Sequence, residues 1–497
     1  MGGLARTLIQ GSFFRVLNLL TTVVAMFLMT PFVISVIGDR WYGLWVLATS
    51  VVYYYAFFDL GLSQAVQRFV SQALGMDDHV EANRLFNTCL FLFMLAGAVI
   101  LAVTGVLLAV TPRLVKEPAA VPIFRFVILL VGIDTATSFP VRAFDGYLYA
   151  ALRYDIMNIV EMAKTVVRTV LIFFFLGRGY GIIGLSVISC ASDLLEYGTI
   201  VFLVLKLYPS VRVGLRHFAR ARIRSLLHYS VYSFISNVAD RLRFQFDTLI
   251  IGGFLGLSLV THYNIGSRFA QYYLMLITSA IALMMPVFSA YEAQNDYAQI
   301  RKSYLLVSKL NAIISLFCGG LIFVLGKPFM VRWMGPDYLD SYAVLVVLTI
   351  GLICNTIQIT AKTLLYGLSK HKPYAIILAV ETGVKLLLSL LLVKPMGIMG
   401  VALGTTLPMI VTNVFIIPYY TNRVIDLAHA PYVKMELGVL LLNGAVFAAG
   451  WYLMRGFLEP SYERLVIAGA LFSVVLLVLN SFVLLTKDER KHFRIPI

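Results

Sequence analysis

The feature that most constrains this chain is a series of long, uninterrupted apolar runs. Most reach roughly 20 residues, the length at which a helix crosses the hydrocarbon layer of a membrane. Of the 497 residues, 60% are hydrophobic and 13% are charged, too few charges for the surface of a soluble protein. The runs are continuous rather than alternating, which argues against a transmembrane β-barrel. The first run is too long for a cleaved signal peptide.

The runs predict an all-α polytopic membrane protein with about fourteen transmembrane helices. The connections between them are short and leave no room for a soluble domain of about 50 residues or more. The candidate spans are roughly Ser12–Ile37, Tyr42–Ser63, Leu85–Thr111, Pro122–Tyr147, Ile156–Leu176, Ile182–Leu205, Leu227–Phe254, Tyr263–Ala290, Leu305–Leu325, Tyr342–Leu368, Tyr374–Val393, Ile398–Tyr420, Met435–Leu453 and Leu465–Leu485.

The formal net charge of +15 is interpreted as a topology signal. The N-terminal segment, the even-numbered loops and the C-terminal tail carry more than twice as many Lys and Arg residues as the odd-numbered loops. The loop from Lys206 to Arg224 has six basic residues and no acid. The positive-inside rule therefore predicts that this loop and both termini are cytoplasmic, with anionic lipid headgroups rather than nucleic acid as the partner. The four cysteines have no metal-ligand spacing, so neither a metal site nor another cofactor is expected.

An internal repeat divides the first twelve spans into halves. Gly181-Ile182-Ile183-Gly184 precedes the sixth span, and Gly397-Ile398-Met399-Gly400 precedes the twelfth, 216 residues later. Six spans per half preserve direction, so we expect two six-helix lobes related by a pseudo-twofold axis along the membrane normal. The predicted organisation is an N-lobe (1–206), a basic cytoplasmic linker (207–226), a C-lobe (227–421), and two extra helices with a cytoplasmic tail (422–497).

Charged side chains inside the spans are the candidate functional residues, because each costs about 2.5–3.5 kcal/mol at the centre of a membrane helix. In the fifth span Glu161, Lys164 and Arg168 share one helix face. With two cations and one acid, this face is expected to be net positive. Two interpretations stay open, namely the lining of a water-filled path and an ion pair with another helix.

The seventh span carries a second charged set. Asp240, Arg243 and Asp247 fall within a narrow sector, so Arg243 and Asp247 are interpreted as structural ion pairs. Arg241 points elsewhere and has no partner on its own helix, which makes it a candidate ligand-binding residue. Arg268 in the eighth span lies at a depth similar to that of Asp247, and both a ligand role and a pair with Asp247 are open.

Three further sets of embedded charges have simpler interpretations. In the eleventh span Glu381 and Lys385 are four residues apart, and both self-neutralisation and a ligand role are open. Long side chains such as Arg142 and Lys362, near predicted cytoplasmic ends, can extend to the interface. For Asp59, helix capping or pairing with a neighbouring helix is expected. These three span-end residues are listed as Asp59, Arg142 and Lys362.

Several motifs carry a resemblance to a known family. They are Tyr42-Gly43-Leu44-Trp45, Asp59-Leu60-Gly61-Leu62 with Arg68, Asn237-Val238-Ala239-Asp240-Arg241, Ile251-Gly252-Gly253-Phe254-Leu255-Gly256, Tyr263-Asn264-Ile265-Gly266-Ser267-Arg268 and Met285-Pro286-Val287-Phe288-Ser289. In this order the motifs resemble the O-antigen and teichoic-acid exporters, which belong to the multidrug/oligosaccharidyl-lipid/polysaccharide superfamily. The resemblance covers nearly the whole chain.

The resemblance implies a V-shaped pair of lobes around a central cavity and alternating access. It also implies a flippase that carries an undecaprenyl-diphosphate-linked oligosaccharide to the outer leaflet of the cytoplasmic (inner) membrane, working with the glycosyltransferases and polymerase of surface polysaccharide biosynthesis. A diphosphate needs cationic partners in the membrane. The candidates for this cationic site are Lys164, Arg168, Arg241, Arg268 and Lys385.

The energy source and three alternative functions are left open. A proton or sodium gradient needs a titratable carboxylate, for which Glu161, Asp240 and Glu381 are candidates. A cation-coupled multidrug exporter would favour an acidic or apolar cavity, and a lipid-linked peptidoglycan-precursor flippase would also have fourteen spans. A membrane glycosyltransferase or polymerase needs a sizeable outer loop with catalytic acids, which this chain does not offer, so we expect no enzymatic activity.

Overall fold

A computed structural model describes residues 2–114, 118–224, 226, 246–281, 284–368, 370 and 372–484. Within these ranges the chain is almost entirely helical and contains no strand, so the predicted all-α class is confirmed. The helices are α1 (Gly2–Ile37), α2 (Asp39–Tyr55), α3 (Leu62–Gly75), α4 (His79–Leu114), α5 (Val121–Ala150), α6 (Tyr154–Leu176), α7 (Gly181–Leu207), α8 (246–254), α9 (Leu257–Ile281), α10 (Met285–Ala293), α11 (Tyr297–Trp333), α12 (Leu339–Ile357), α13 (Ile359–Gly367), α14 (Lys372–Val411), α15 (Ile417–Val424), α16 (His429–Met454) and α17 (Tyr462–Leu479).

Nine stretches within the described ranges are long and apolar enough to cross a membrane. The longest, Lys372–Val424, has 53 residues and covers two predicted spans, because α14 is interrupted at Gly397. Outside these nine, α2 is only 17 residues long and α6 carries the charged face of the fifth span. The seventh predicted span is described only over 246–254. The polytopic membrane class is confirmed.

Two compact units make up the chain, Met1–Thr261 and His262–Ile497. In the first unit α4 packs along α5, α7 contacts α5, and α6 contacts both α1 and α7. Aromatic side chains fill its core, where the ring of Phe86 packs edge-on against those of Phe144 and Tyr147. The same unit contains a close helix approach at Gly43, where a Cβ atom would lie 1.8 Å from the carbonyl oxygen of Leu257.

In the second unit α11 contacts α12, α16 and α17, and α12 packs along α14. The rings of Phe447 and Phe472 stack at 5.4 Å between α16 and α17. The side-chain amides of Asn443 and Asn480 exchange two hydrogen bonds of 3.0 and 3.1 Å. These contacts join the last two long helices to each other. The lobe boundaries expected at residues 206, 226 and 421 stay a prediction.

Candidate functional site

The charged face of α6 contacts acids on the neighbouring helix α7. Lys164 Nζ lies 2.6 Å from Glu196 Oε2 and 3.1 Å from Asp193 Oδ1. Arg168 Nη1 lies 4.0 Å from the same oxygen of Asp193. The Lys164 side chain is 16% exposed and that of Arg168 is 30% exposed. Two carboxylates therefore hold Lys164, whereas Arg168 is more accessible and less tightly bound.

The third residue of this face, Glu161, contacts a different neighbour. Asn18 of α1 donates a hydrogen bond of 2.8 Å from Nδ2 to Glu161 Oε2. The same Nδ2 lies 3.4 Å from the side-chain oxygen of Asn158, one turn earlier on α6. The face therefore connects α6 to α1 through Glu161 and to α7 through Lys164.

Two more acids reach this region from α5. Asp134 lies within electrostatic range of Asp193 and Lys164, and Asp145 lies within range of Glu196. One carboxylate oxygen of each α5 acid, Oδ1, is buried and has no hydrogen-bond partner among the described residues. We name the whole set the embedded charged cluster. Its members are Asp134, Asp145, Glu161, Lys164, Arg168, Asp193 and Glu196.

The expected surplus of positive charge is wrong for this part of the chain. Five carboxyl groups surround two cations in the cluster, because α5 and α7 supply four acids that a reading of α6 alone leaves out. A sequence signal for them existed. Asp193 and Glu196 are three residues apart, and Asp134 and Asp145 are eleven apart, so each pair shares a helix face. For Lys164, the ion-pair interpretation is the one that the structure shows.

The start of α6 lies outside the apolar span and carries a separate ion pair. Arg153 Nε and Nη2 donate hydrogen bonds of 2.9 Å to the two carboxylate oxygens of Asp155. These hydrogen bonds lower the pKa of Asp155. An acid in the first turn also interacts favourably with the positive end of the helix dipole.

In the second unit, Glu381 and Lys385 are buried on α14, with 4% and 2% of their surface exposed. The hydroxyl of Thr412, in the π-helical turn after α14, donates a hydrogen bond to Glu381 Oε2. Asn413 donates to the backbone oxygen of Met409 and reaches the Thr412 hydroxyl. Glu381 therefore belongs to a local polar group, and its self-neutralisation by Lys385 stays a prediction.

The remaining predicted site residues are only partly described. Arg268 on α9 lies with Nε 3.4 Å from Asn264 Oδ1, and Asp247 on α8 is 3% exposed. The predictions for Asp240, Arg241 and Arg243 fall outside the described residues. The structure therefore brings together three of the predicted residues, Glu161, Lys164 and Arg168.

A second embedded ion pair joins two of the residues noted at span ends. Arg142 Nη1 lies 3.0 Å from Asp59 Oδ1, and the Ser63 hydroxyl donates to the same oxygen. The guanidinium of Arg142 also lies 4.0 Å from the ring centroid of Phe139. Pairing was expected for Asp59 and is confirmed. Arg142 is occupied by that pair, and Lys362 donates to the side-chain and backbone oxygens of Asn355.

Comparison with known proteins decides the family. A sequence profile described as "Polysaccharide biosynthesis protein" matches residues 36–343, more than half of the chain. The chain belongs to this family. It is 22% identical to the "Uncharacterized membrane protein EpsK" of Bacillus subtilis over 495 residues, which cover 96% of this chain and 97% of that protein.

Two other curated relatives carry functional names. The "Putative O-antigen transporter" of Shigella flexneri is 22% identical over 400 residues, which cover 78% of this chain and 91% of the relative. The "Probable low-salt glycan biosynthesis flippase Agl15" of Haloferax volcanii is 24% identical over 230 residues, covering 45% of this chain and 48% of the relative. The exporter resemblance suggested by the sequence motifs is confirmed by these matches.

Solved structures show the same fold at low sequence identity. The lipid II flippase MurJ in an inward closed conformation matches with a TM-score of 0.68 and 15% identity, covering 94% of this chain and 99% of that one. An inward-facing multidrug transporter of the MATE family matches with a TM-score of 0.65 and 16% identity, covering 82% and 98%. The chain therefore has the fold of the superfamily that the motifs indicate.

Proposed function

We propose that this protein is a flippase that moves an undecaprenyl-diphosphate-linked oligosaccharide from the inner to the outer leaflet of the cytoplasmic membrane. The observation that carries the proposal is its membership of a polysaccharide-biosynthesis family on a transporter fold. Relatives named as an O-antigen transporter and as a glycan flippase support a lipid-linked glycan as the cargo. Transport by alternating access, with both termini cytoplasmic, is part of the same proposal.

Arg168 is the residue of the embedded charged cluster that we assign to the diphosphate. Its nearest acid is 4.0 Å away, so an incoming phosphate can compete for its guanidinium, which binds phosphate oxygens in a bidentate manner. Lys164 is instead a positioning residue, because Glu196 and Asp193 already hold its ammonium group. Arg241, Arg268 and Lys385 stay proposed cargo-binding residues.

The acids of the cluster suit coupling to an ion gradient. Glu161 receives a hydrogen bond from Asn18 on another helix, so a change in its charge alters a contact between α1 and α6. Glu381 makes a comparable contact with Thr412 in the second unit. We propose proton or sodium coupling through Glu161, Glu381 and Asp240. Collapse of either gradient with an ionophore should slow glycan export if this is correct.

The test is complementation of a bacterial strain that lacks its own lipid-linked glycan flippase, with surface glycan as the readout. Arg168→Ala should reduce export about tenfold or more at normal protein level, and Arg168→Lys should reduce it less. Arg178→Ala removes an exposed arginine of the turn before α7 and is the matched control. Export at the unmodified rate in Arg168→Ala would remove the assigned role of Arg168, and absence of any complementation by the unmodified protein would reject the flippase.

One observation favours a second candidate, a cation-coupled multidrug exporter. The embedded charged cluster is acidic, which suits a cationic substrate better than a diphosphate. The family match favours the glycan. Resistance of an efflux-deficient strain to cationic dyes distinguishes the two, because a glycan flippase should leave the minimal inhibitory concentration unchanged.

A further inference from the structure

The basic loop between α7 and the masked start of the next helix has a defined conformation from Tyr208 to Arg224. Three polar side chains of α4 bind its backbone. Asn83 Oδ1 accepts a 2.9 Å hydrogen bond from the backbone N–H of Arg212, and Asn87 binds both the carbonyl of Arg212 and the N–H of Gly214, each at 2.9 Å. Thr88 Oγ1 accepts a 3.1 Å hydrogen bond from the N–H of Ala219.

These α4 side chains are buried, which makes the attachment specific. Asn87 and Thr88 are 0% exposed and Asn83 is 6% exposed. An unsatisfied buried amide costs about 1–3 kcal/mol, so releasing the loop backbone is unfavourable. An ion pair strengthens the attachment, because Arg222 Nε lies 2.7 Å from Glu81 Oε1. The loop is therefore fixed against the first three turns of α4.

Its position on α4 fixes the depth of the loop in the membrane. The ring of Phe218 packs edge-on against that of Phe91 with centroids 5.8 Å apart. Phe91 lies within the apolar stretch His79–Pro112, about 12 Å along the helix axis from Asn83. The loop thus runs alongside the end of a membrane-spanning helix, at the level where headgroups meet acyl chains, and does not extend away from it.

The outer surface of this loop combines apolar and basic side chains. Leu215 is 75% exposed and Val213 is 53% exposed, although both are aliphatic. Arg212, Arg216 and Arg220 are exposed beside them. Exposed aliphatic side chains flanked by cations are typical of segments that enter the interface of an anionic membrane.

We propose that this surface, Arg212–Arg220, is a docking site for anionic phospholipid headgroups, with Leu215 and Val213 inserted among the upper acyl chains. The occupant is the membrane surface itself, because the loop has no acid to compete for the arginines and is held at the depth of the headgroups. Docking fixes the cytoplasmic end of α4 and the chain that leaves α7. It is independent of the cargo that the protein moves.

The test places a fluorescent probe at position 215 of the full-length protein. Leu215→Cys, in a background without the four native cysteines, is labelled with bimane and reconstituted in nanodiscs of phosphatidylcholine alone or mixed with phosphatidylglycerol. Nitroxide lipids should quench the probe, and aqueous iodide should not, in the phosphatidylglycerol discs at low salt. Raising the salt concentration should reverse both effects.

Charge variants separate this surface from general electrostatics. Each arginine contributes about a fivefold factor to partitioning, so Arg212→Gln/Arg216→Gln/Arg220→Gln should return quenching to its level in phosphatidylcholine. The matched control is Lys302→Gln/Lys370→Gln/Lys372→Gln, which removes three exposed lysines elsewhere and should leave quenching unchanged. Gel filtration checks that each variant is folded.

Three outcomes would overturn the proposal. One is a probe that stays accessible to iodide in phosphatidylglycerol discs. Another is quenching that is equal in both lipids and independent of salt. The third is a loss of quenching of the same size in the lysine control as in the arginine variant. Cross-linking from position 215 to a protein in native membranes, with no lipid dependence in nanodiscs, would assign the surface to an acidic protein partner instead.

Discussion

Gly181 and Gly397, which are 216 residues apart, have the same left-handed backbone conformation, with φ angles of +55° and +58°. Gly181 is the first residue of α7, and Gly397 interrupts α14. The register continues into the polar contacts. Glu196 binds Lys164 in the first unit, and Thr412, again 216 residues later, binds Glu381 in the second. The two halves therefore share a local helix-turn-helix geometry as well as a motif.

The first prediction concerns the turn at Gly397. A residue with a Cβ atom at this φ is strained, so Gly397→Ala should destabilise the protein by about 1–2 kcal/mol. The control is Gly383→Ala in the same helix, where an added Cβ meets no atom within 4 Å and φ is not positive. Thermal unfolding of the purified protein in detergent should show a lower Tm for Gly397→Ala alone. Equal Tm values in both variants would contradict the strain argument.

A second prediction concerns Lys164 and its two acids. Lys164→Met leaves Glu196 and Asp193 without their shared cation inside the membrane, which should cost about 3 kcal/mol or more. Replacing Glu196 by Gln in addition should recover part of that loss, because fewer buried charges are then unpaired. Membrane level by immunoblot and resistance to unfolding by SDS measure both variants. A fully stable Lys164→Met protein would show that water or the cargo compensates the acids.

Helix positions and class were predictable from the sequence because apolar length is a local property. The first span lies within α1, and the thirteenth and fourteenth spans agree with α16 and α17. The repeat was predictable for the same reason, since each glycine acts on its own turn. Charge pairing was not, because it depends on which helices pack together. Lys164 is paired by residues of α7, more than 25 positions away in the chain.

The basic loop illustrates the same limit. Its charge predicted which side of the membrane it faces, but its conformation depends on Asn83, Asn87 and Thr88, which look like ordinary polar residues at the start of an apolar run. A useful signal for such cases is a buried amide on a membrane helix within two turns of its end. Such a side chain needs a partner, and a neighbouring loop backbone can supply it.

The third prediction uses the pH dependence of the Arg153–Asp155 pair. Folding lowers the pKa of Asp155, so its ionised form stabilises the protein above the unfolded pKa of about 3.9, and this contribution is lost as the pH falls through the lower folded pKa. Because Arg153 is 37% exposed, the contribution is only about 0.5 kcal/mol. Asp155→Asn should therefore lower Tm slightly at pH 7, and the difference should shrink near pH 3. A difference that grows on acidification would contradict the assigned sign.

The Asp59–Arg142 pair gives a fourth prediction. Asp59→Asn and Arg142→Gln should each destabilise the first unit, and the double variant should lose less than the sum, with a coupling free energy of about 1–3 kcal/mol. Unfolding curves of the four proteins give that coupling. The pair Asp59 and Arg178, which are not in contact, serves as the additive control. Additivity in both cycles would mean that the 3.0 Å contact contributes nothing to stability.

The last prediction concerns the orientation of the chain in the membrane. Helix α7 has 27 residues and is therefore about 40 Å long, so the turn at Arg178 and the loop at Arg216 lie on opposite sides of the bilayer. The excess of basic residues predicts that Arg216 is cytoplasmic. In a cysteine-less background, Arg178→Cys should react with a membrane-impermeant maleimide added to intact cells, and Arg216→Cys should react only after the cells are opened. The reverse pattern would invert the topology. Reaction of both positions in intact cells would mean that α7 does not span the membrane. Since the lipid-docking surface contains Arg216, the first pattern would also place that surface against the inner leaflet, where the anionic headgroups that it requires face the cytoplasm.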